Sequence, residues 1–328
     1  MMSTMSLNKY LNENSFEFAS NVDLKQLTGV NGGTCSYFGK PKSFEQYLGL
    51  LKFSIRNKLS FEVVGNLTNT FFLQSYNPKL IISTIQVNEM TTENEYLLCS
   101  CGCNLTKVSR YCVSNGISGY EGFIGIPGTI GAAAINNSGA FSSEMSKVVK
   151  YVEIVTNDNG IRKLNHRDLK YSTRSSILKD NTIKAYVLRI ALDISKKTDV
   201  SVLKSKAKEI IKFRKENVDG IRKSLGSVFD SSTLNFIFCN NKLRTLIKRI
   251  FFLLFKLVFK NSRRQRINTF LDFLFLGIPK FAKHCDSLNR FCWDKDTTEE
   301  DFLNYLKSMQ KLANNKLKLE IDIKGKLE

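Results

Sequence analysis

Residues 119–141, with the sequence GYEGFIGIPGTIGAAAINNSGAF, constrain this chain more than any other stretch. Glycine and alanine concentrate here, whereas the surrounding sequence is bulky and rich in lysine. Consecutive backbone N–H groups in such a loop form an anion-binding concavity, which suits a pyrophosphate. The alternative is a glycine-rich turn packed tightly in a core. The residues that can supply positive φ angles and a fixed turn are Gly125, Gly128, Gly131, Gly139 and Pro127.

The size and charge of the chain limit its class. With 328 residues, 42% of them hydrophobic, it can bury a sizeable core and form two or three subdomains. The formal net charge of +19 indicates an acidic partner: a phosphorylated ligand, an anionic membrane surface or nucleic acid. The first twenty residues lack a signal-peptide pattern, and no apolar run approaches the roughly 18 residues that span a bilayer. We therefore expect a cytoplasmic protein, and a monomer.

The eight cysteines do not follow a metal-binding pattern. Cys99, Cys101 and Cys103 alternate with small residues, so on a strand they would share one face as small apolar groups. No CxxC pair occurs, and His166 and His284 are the only histidines. We predict free thiols and no metal site.

Residue periodicity predicts a mixed α+β fold. Residues 1–20 are polar, and we expect ordered structure from about Asn21. Ser43 is placed to cap a helix, and residues 105–115 form another with one apolar face. The predicted strands are 35–37, 61–64, 80–85, 96–101, 148–155, 161–164 and 185–194.

A change in composition marks a boundary between two domains, which we place at residues 21–194 and 195–328. The second begins with a lysine-rich helix at 199–216. It ends with an acidic helix start at 297–300 and a strand at 317–323.

Residues 242–266 contain nine basic residues and no acidic one, interleaved with aromatic and aliphatic residues. Lys256 and Lys260 lie on one side at helical spacing and Leu253 and Leu257 on another, which predicts an amphipathic basic helix. This helix either packs on the core with a solvated cationic face or makes a weak contact with an anionic membrane surface. No nucleic-acid-binding motif accompanies the charge, so we expect no nucleic acid partner.

The string GIPGTIG, followed by NNSGAF, resembles the flavin-contacting segment of the UDP-N-acetylenolpyruvoylglucosamine reductases, the MurB family. The resemblance implies a PCMH-type (vanillyl-alcohol-oxidase-like) FAD-binding module of two lobes, split near residue 86, followed by an α+β substrate domain. It implies FAD contacts from two segments. These are Gly125, Ile126, Pro127, Gly128, Thr129, Gly131 and Asn137 in the glycine stretch, and Gly65, Asn66, Leu67, Thr68 and Asn69 in the loop after strand 61–64.

This loop departs from the family pattern at two positions. Asn66 and Leu67 stand where the reductases usually have glycines, whereas Gly65, Thr68 and Asn69 fit. The resemblance assigns the backbone of this loop to the flavin pyrophosphate.

Three further residues match the family's catalytic positions. Ser227 lies in Leu-Gly-Ser-Val-Phe, which resembles the segment that carries the family's serine proton donor. Glu320 matches the family's C-terminal glutamate, and Arg174 suits an arginine that holds a carboxylate by two hydrogen bonds. The usual tyrosine before this arginine is replaced by Thr173. Without the resemblance, Ser227 would be read as part of an ordinary turn and Glu320 as a solvated edge-strand residue.

The resemblance implies an oxidoreductase of peptidoglycan synthesis that uses FAD and NADPH. Its substrate would be the enolpyruvyl ether of UDP-N-acetylglucosamine, which it would reduce to UDP-N-acetylmuramate. Arg174 would stabilise charge on the substrate, Glu320 would orient or polarise its carboxylate, and Ser227 would protonate the enolate carbon. Two alternatives stay open. One is a flavoenzyme of the same fold that acts on another enolpyruvyl or lactyl sugar for a surface polysaccharide, and the other is a non-catalytic, membrane-peripheral binding module.

Overall fold

The computed structural model describes residues 6–30, 32–180, 182–217, 222–237, 250–253 and 264–327. Helices and strands are mixed along the chain, as the sequence predicts. The helices are α1 (Leu7–Glu13), α2 (Leu24–Thr28), α3 (Phe44–Arg56), α4 (Leu105–Ser114), α5 (Ile130–Ile135), α6 (Val200–Asn217), α7 (Arg264–Phe275) and α8 (Glu299–Leu312). The strands are β1 (Glu17–Asp23), β2 (Thr34–Lys40), β3 (Phe61–Val64), β4 (Thr70–Phe72), β5 (Leu80–Ser83), β6 (Met90–Glu93), β7 (Tyr96–Ser100), β8 (Gly139–Ala140), β9 (Ser143–Glu144), β10 (Val149–Thr156), β11 (Ile161–Asn165), β12 (Ala185–Asp193), β13 (Lys223–Ser224), β14 (Cys285–Ser287), β15 (Arg290–Trp293) and β16 (Asp322–Lys324).

The chain divides into two compact units, and the boundary differs from the one expected at 194/195. The long helix α6 belongs to the first unit, because Leu203 and Ala207 are buried with Val113 and Ile124. Two short N-terminal segments join the second unit. The first unit is Met1–Leu27, Thr34–Leu67 and Asn77–Asp219, and the second is Thr28–Gly33, Thr68–Tyr76 and Gly220–Glu328.

The first unit contains two main sheets. One has the order β1-β2-β5-β3, with parallel β2, β5 and β3, and the other is antiparallel with the order β11-β10-β12-β7-β6. The two sheets are separated in sequence between Ser83 and Met90, the interval that contains the expected split near residue 86. The Tyr47 hydroxyl of α3 donates to the Val187 carbonyl at 3.0 Å and so ties this helix to the second sheet. The predicted cap is confirmed, since the Ser43 side chain accepts from the Gln46 N–H.

The N-terminal segment is folded, so the expectation of a frayed start up to residue 20 is wrong from residue 6 onwards. The Ser6 side chain caps α1, and β1 pairs with β2. Leu7, Leu11 and Phe16 are buried in the core of the first unit. These few apolar side chains are enough to fix a mostly polar segment, because each is removed from water almost completely.

The second unit is built around an aromatic core. Phe291 packs edge-to-face on Trp293 and Phe302, with ring centroids 5.3 and 5.1 Å apart. The predicted helix start is confirmed, since Thr298 and Asp301 form a reciprocal capping box at the start of α8. The small sheet has the order β13-β15-β14, and β16 pairs parallel with β4.

The predicted strand at 317–323 is wrong for most of its length. Only Asp322–Lys324 is a strand, and residues 318–321 instead pair with residues 228–230, which directly follow Ser227. A single bridge joins Phe229 to Leu319. The backbone N–H groups of this irregular segment find acceptors without forming a regular strand. The alternation of apolar and polar residues in the sequence does not distinguish the two cases.

Most of the basic segment 242–266 lies outside the described residues, and α7 begins at Arg264. The amphipathic helix and its membrane contact therefore stay predictions. Within the described ranges, no helix combines the length and the hydropathy that crossing a bilayer requires.

The seven cysteines in the described part of the chain are buried free thiols. Burial raises the pKa of Cys101, Cys112 and Cys292 to about 12, so these thiols are protonated at neutral pH. The same part of the chain contains no group of three side chains suited to hold a metal ion.

Candidate functional site

The glycine stretch folds into a 3₁₀ turn, a loop and the short helix α5. Gly125 and Gly128 have φ angles of +81° and +127°, as expected for positions that only glycine occupies without strain. The Thr129 side chain caps α5 by accepting from the Ala132 N–H at 3.4 Å. This helix was not predicted from the sequence.

Gly131 and Gly139 serve a different purpose from the one predicted, because neither has a positive φ. A Cβ atom on Gly131 would lie 2.8 Å from the Cβ of Cys101, and one on Gly139 would lie 2.3 Å from the Ser143 carbonyl. Close approach of two chain segments, and not backbone conformation, therefore requires glycine at both positions.

The two loops assigned to the cofactor contact each other within the first unit. A Cβ on Gly65 would lie 2.6 Å from the Thr129 Oγ1. Residue 65 must therefore be glycine for the loop after β3 to approach Thr129 this closely. Among the described residues, no hydrogen bond uses the backbone N–H of Asn66, Leu67, Gly128 or Thr129. Donors from two touching loops suit the oxygens of a pyrophosphate, so the residues present fit FAD.

Other amides of the glycine stretch are already bonded to protein. The Gly125 N–H donates to Thr106 Oγ1 at 3.1 Å, and the Gly131 N–H donates to the Cys101 carbonyl at 2.9 Å. The set of N–H donors that this stretch can offer to an anion is therefore narrower than the sequence indicated.

Leu67 has a φ angle of +54°, which places it in the left-handed region. This conformation costs a non-glycine residue about 1–2 kcal/mol. The backbone thus has the shape that the family's glycines favour, although the side chain is a leucine. The remaining predicted residues of this loop, Thr68 and Asn69, belong to the second unit.

Arg174 lies in a tight turn in which Ser172 and Ser175 exchange backbone hydrogen bonds of 3.0 and 3.2 Å. Its φ angle is +54°, and strained backbone of this kind persists only where the surroundings hold it. The guanidinium donates to the Gly139 carbonyl at 2.7 Å, so the structure brings Arg174 to the end of the glycine stretch. Burial raises the pKa of the nearby Tyr171 hydroxyl, which keeps it neutral.

Asn137 holds this turn in place. Its amide donates to the Ser172 carbonyl at 2.8 Å and to Glu144 Oε1 at 2.7 Å, and its oxygen accepts from the Ser146 N–H at 2.9 Å. The side chain is 1% exposed. The Asn137 amide thus makes its hydrogen bonds within the protein. A contact from Asn137 to the cofactor stays a prediction.

We expect Asn137→Asp to lower the free energy of unfolding by about 2 kcal/mol at pH 7, because a carboxylate cannot donate to Ser172 or Glu144. Thermal unfolding would then shift by roughly 5 °C. Repulsion from Glu144 raises the pKa of the introduced carboxyl, so the loss is present at neutral pH and shrinks as the pH falls through this raised value.

Melting curves at pH 7 and pH 5 check this expectation. Asn94→Asp is the matched control, because Asn94 is exposed and also has a positive φ, +51°. An Asn137→Asp melting temperature equal to wild type at pH 7 would contradict the assigned role.

Ser227 and Glu320 are brought together in the second unit. Gly226 has a φ of +80°, which turns the chain just before Ser227, and Val228 is buried directly after it. The Glu320 N–H donates to the Val228 carbonyl at 2.9 Å. The Asn69 amide donates to the Glu320 carbonyl at 3.1 Å, so the end of the first cofactor loop joins the same backbone network.

Sequence reasoning missed two residues next to these segments. Arg214 lies in the predicted lysine-rich helix, which gave no sign of a buried arginine, yet it is 9% exposed and donates to the Gly122 carbonyl at 3.4 Å. Its Cδ lies 2.9 Å from where a Cβ of Gly125 would stand, which explains that glycine further. Asn289 bonds to Phe229, two residues after Ser227. A lone arginine on one helix face and an asparagine in a turn carry no distinctive sequence signal.

The known proteins with a similar sequence are an FAD-binding family and a group of reductases. Residues 36–165 match the family model of the FAD binding domain. The UDP-N-acetylenolpyruvoylglucosamine reductase of Caldicellulosiruptor saccharolyticus is 30% identical over 233 residues, which cover 71% of this chain and 75% of the relative. That of Clostridium novyi is 27% identical over 232 residues, covering 70% and 75%.

The fold has a solved counterpart. The crystal structure of UDP-N-acetylenolpyruvylglucosamine reductase from Thermus caldophilus matches with a TM-score of 0.61 at 19% identity, over 94% of this chain and 98% of that chain. The predicted α+β architecture with a PCMH-type FAD-binding module is confirmed.

Proposed function

This chain belongs to the UDP-N-acetylenolpyruvoylglucosamine reductase family, and we propose that it reduces the enolpyruvyl ether of UDP-N-acetylglucosamine to UDP-N-acetylmuramate. It is a flavoprotein oxidoreductase that uses FAD and NADPH. The product is a precursor of peptidoglycan, so the reaction serves cell wall synthesis.

The observation that carries this proposal is the joining of Ser227 and Glu320 in one backbone network, through the Glu320 N–H and the Val228 carbonyl. These two residues are 93 positions apart (320 − 227), and the sequence matched each of them separately to a family motif. Because two separately matched residues lie on hydrogen-bonded segments, a shared catalytic site explains them better than two unrelated surface positions.

The residues divide the chemistry as follows. FAD, when bound, would pass hydride from NADPH to the methylene carbon of the enolpyruvyl group. The adjacent carbon, which bears the carboxylate, then needs a proton, and the Ser227 hydroxyl supplies it. Arg174 binds the carboxylate and offsets the negative charge that develops there, while Glu320 orients the carboxylate. The converging loops at Gly65 and Thr129 bind the flavin pyrophosphate through their N–H groups.

Purified protein should be yellow and should oxidise NADPH beyond one equivalent per bound flavin only when the enolpyruvyl UDP-sugar is added. A spectrum of the flavin bands and the rate of absorbance loss at the NADPH band measure both properties. A colourless protein would favour the non-catalytic module. A yellow protein that ignores this substrate but reacts with a different enolpyruvyl or lactyl sugar would favour the surface-polysaccharide alternative.

The cytoplasmic location, the monomeric state and the membrane contact of residues 242–266 stay predictions. The net charge of +19 supports an anionic partner, and the pyrophosphates of FAD and of a UDP-sugar are such partners.

A further inference from the structure

Asn289 occupies the turn between β14 and β15 in the second unit. Its side-chain oxygen accepts from the Phe229 N–H at 2.6 Å, and its amide donates to the Phe229 carbonyl at 2.6 Å. The Asn289 carbonyl also accepts from the Val228 N–H at 3.0 Å. One residue therefore holds both backbone groups of Phe229 and one of Val228.

The hairpin that presents Asn289 is itself anchored in the aromatic core. The buried Tyr305 hydroxyl donates to the carbonyl of Leu288, the preceding residue, at 2.5 Å. Phe229 is fully buried against the same core. The hydrogen bonds of Asn289 therefore attach the residues after Ser227 to the aromatic core of the unit.

The C-terminal segment also makes hydrogen bonds to the residues that follow Ser227. The Asp230 N–H donates to the Lys318 carbonyl at 2.8 Å, and the Glu320 N–H donates to the Val228 carbonyl. Residues 228–230 are thus held between the Asn289 turn and the segment that carries Glu320. Ser227 directly precedes this held stretch, and Gly226 with its positive φ sets the chain direction before it.

We propose that Asn289 is a positioning residue for the Ser227 proton donor, acting through the backbone of Val228 and Phe229. This inference rests on the proposed function of Ser227. Asparagine suits the task because its amide provides a donor and an acceptor at once, as the N–H and C=O of one residue require. An aspartate of the same shape can only accept and would place a carboxylate against the Phe229 carbonyl.

Asn289→Asp should slow the half-reaction that needs Ser227, about 10- to 100-fold, because misplacing a reacting group by about 1 Å has an effect of this size. Reduction of the bound flavin by NADPH should stay within about twofold of wild type. Stopped-flow absorbance at the flavin band measures the two half-reactions separately, with the enolpyruvyl UDP-sugar as the oxidant in the second. Asn314→Asp, the same change on an exposed turn of this unit, is the control and should match wild type in both.

A role through Ser227 predicts non-additivity. In a Ser227→Ala background, Asn289→Asp should cause no further loss of the second half-reaction, since the group that it positions is gone. A merely structural residue would reduce both half-reactions together and would add its loss to that of Ser227→Ala. If Asn289→Asp lowers the flavin content, Asn289→Ser, which removes the carboxamide without placing a charge against the Phe229 carbonyl, carries the comparison and should also slow the second half-reaction.

The inference is overturned by a normal second half-reaction in Asn289→Asp, by equal slowing of both half-reactions, or by additive losses in the double variant. A wild-type protein that fails to oxidise NADPH with the enolpyruvyl UDP-sugar overturns the proposed function instead. The two failures are therefore distinguishable in one set of experiments.

Discussion

Ser227→Ala should bind FAD and accept hydride from NADPH at the wild-type rate, yet lose about 10²–10⁴-fold in the step that follows, as is typical when a positioned general acid is removed. The variant should fold, because Ser227 is only partly buried and the packing of the turn comes from Val228 and Phe229. Stopped-flow records of flavin reduction and of its reoxidation by the enolpyruvyl UDP-sugar separate the two steps.

Two further variants sharpen this test. Glu320→Gln should slow the same half-reaction, and Arg174→Ala should slow it and also weaken binding of the substrate carboxylate, which raises KM. Ser231→Ala makes the same chemical change at an exposed position nearby and should behave as wild type. Reoxidation of Ser227→Ala at the wild-type rate would remove the serine from the mechanism.

Gly128→Val should remove FAD from the purified protein almost entirely. The φ angle of +127° at Gly128 lies in a region that only glycine occupies readily, and a β-branched side chain there forces the loop to change shape. Gly128 is also buried, and its N–H makes no hydrogen bond to another described residue. The ratio of flavin absorbance to protein absorbance measures the loss.

Gly277→Val is the matched control for this experiment. Gly277 has a φ of +76°, and a Cβ atom there would meet nothing within 4 Å. Its valine variant therefore carries a comparable backbone strain in the second unit and should lose some stability but keep its flavin. Full flavin absorbance in Gly128→Val would show that this loop is not the cofactor cradle.

The sequence alone determined the elements that depend on neighbouring residues. The Ser43 and Thr298 caps, the hairpin of β10 and β11, and the positive φ of Gly125 and Gly128 all follow from interactions within a few residues. Such features are readable because turn geometry, capping and periodicity act over one or two turns of the chain. The family and its cofactor were readable for the same reason, since a phosphate-binding loop is a short contiguous string.

Only the tertiary structure decided what lies between distant segments. Asn289 contacts Phe229 across 60 residues, and the amide of Asn69 reaches the Glu320 carbonyl across 251. Arg214 of α6 packs on the glycine stretch, although the lysine-rich sequence of its helix does not single it out. Each of these contacts depends on which loops close and which surfaces pack, and an asparagine or an arginine has the same local pattern whether it meets a distant backbone or water.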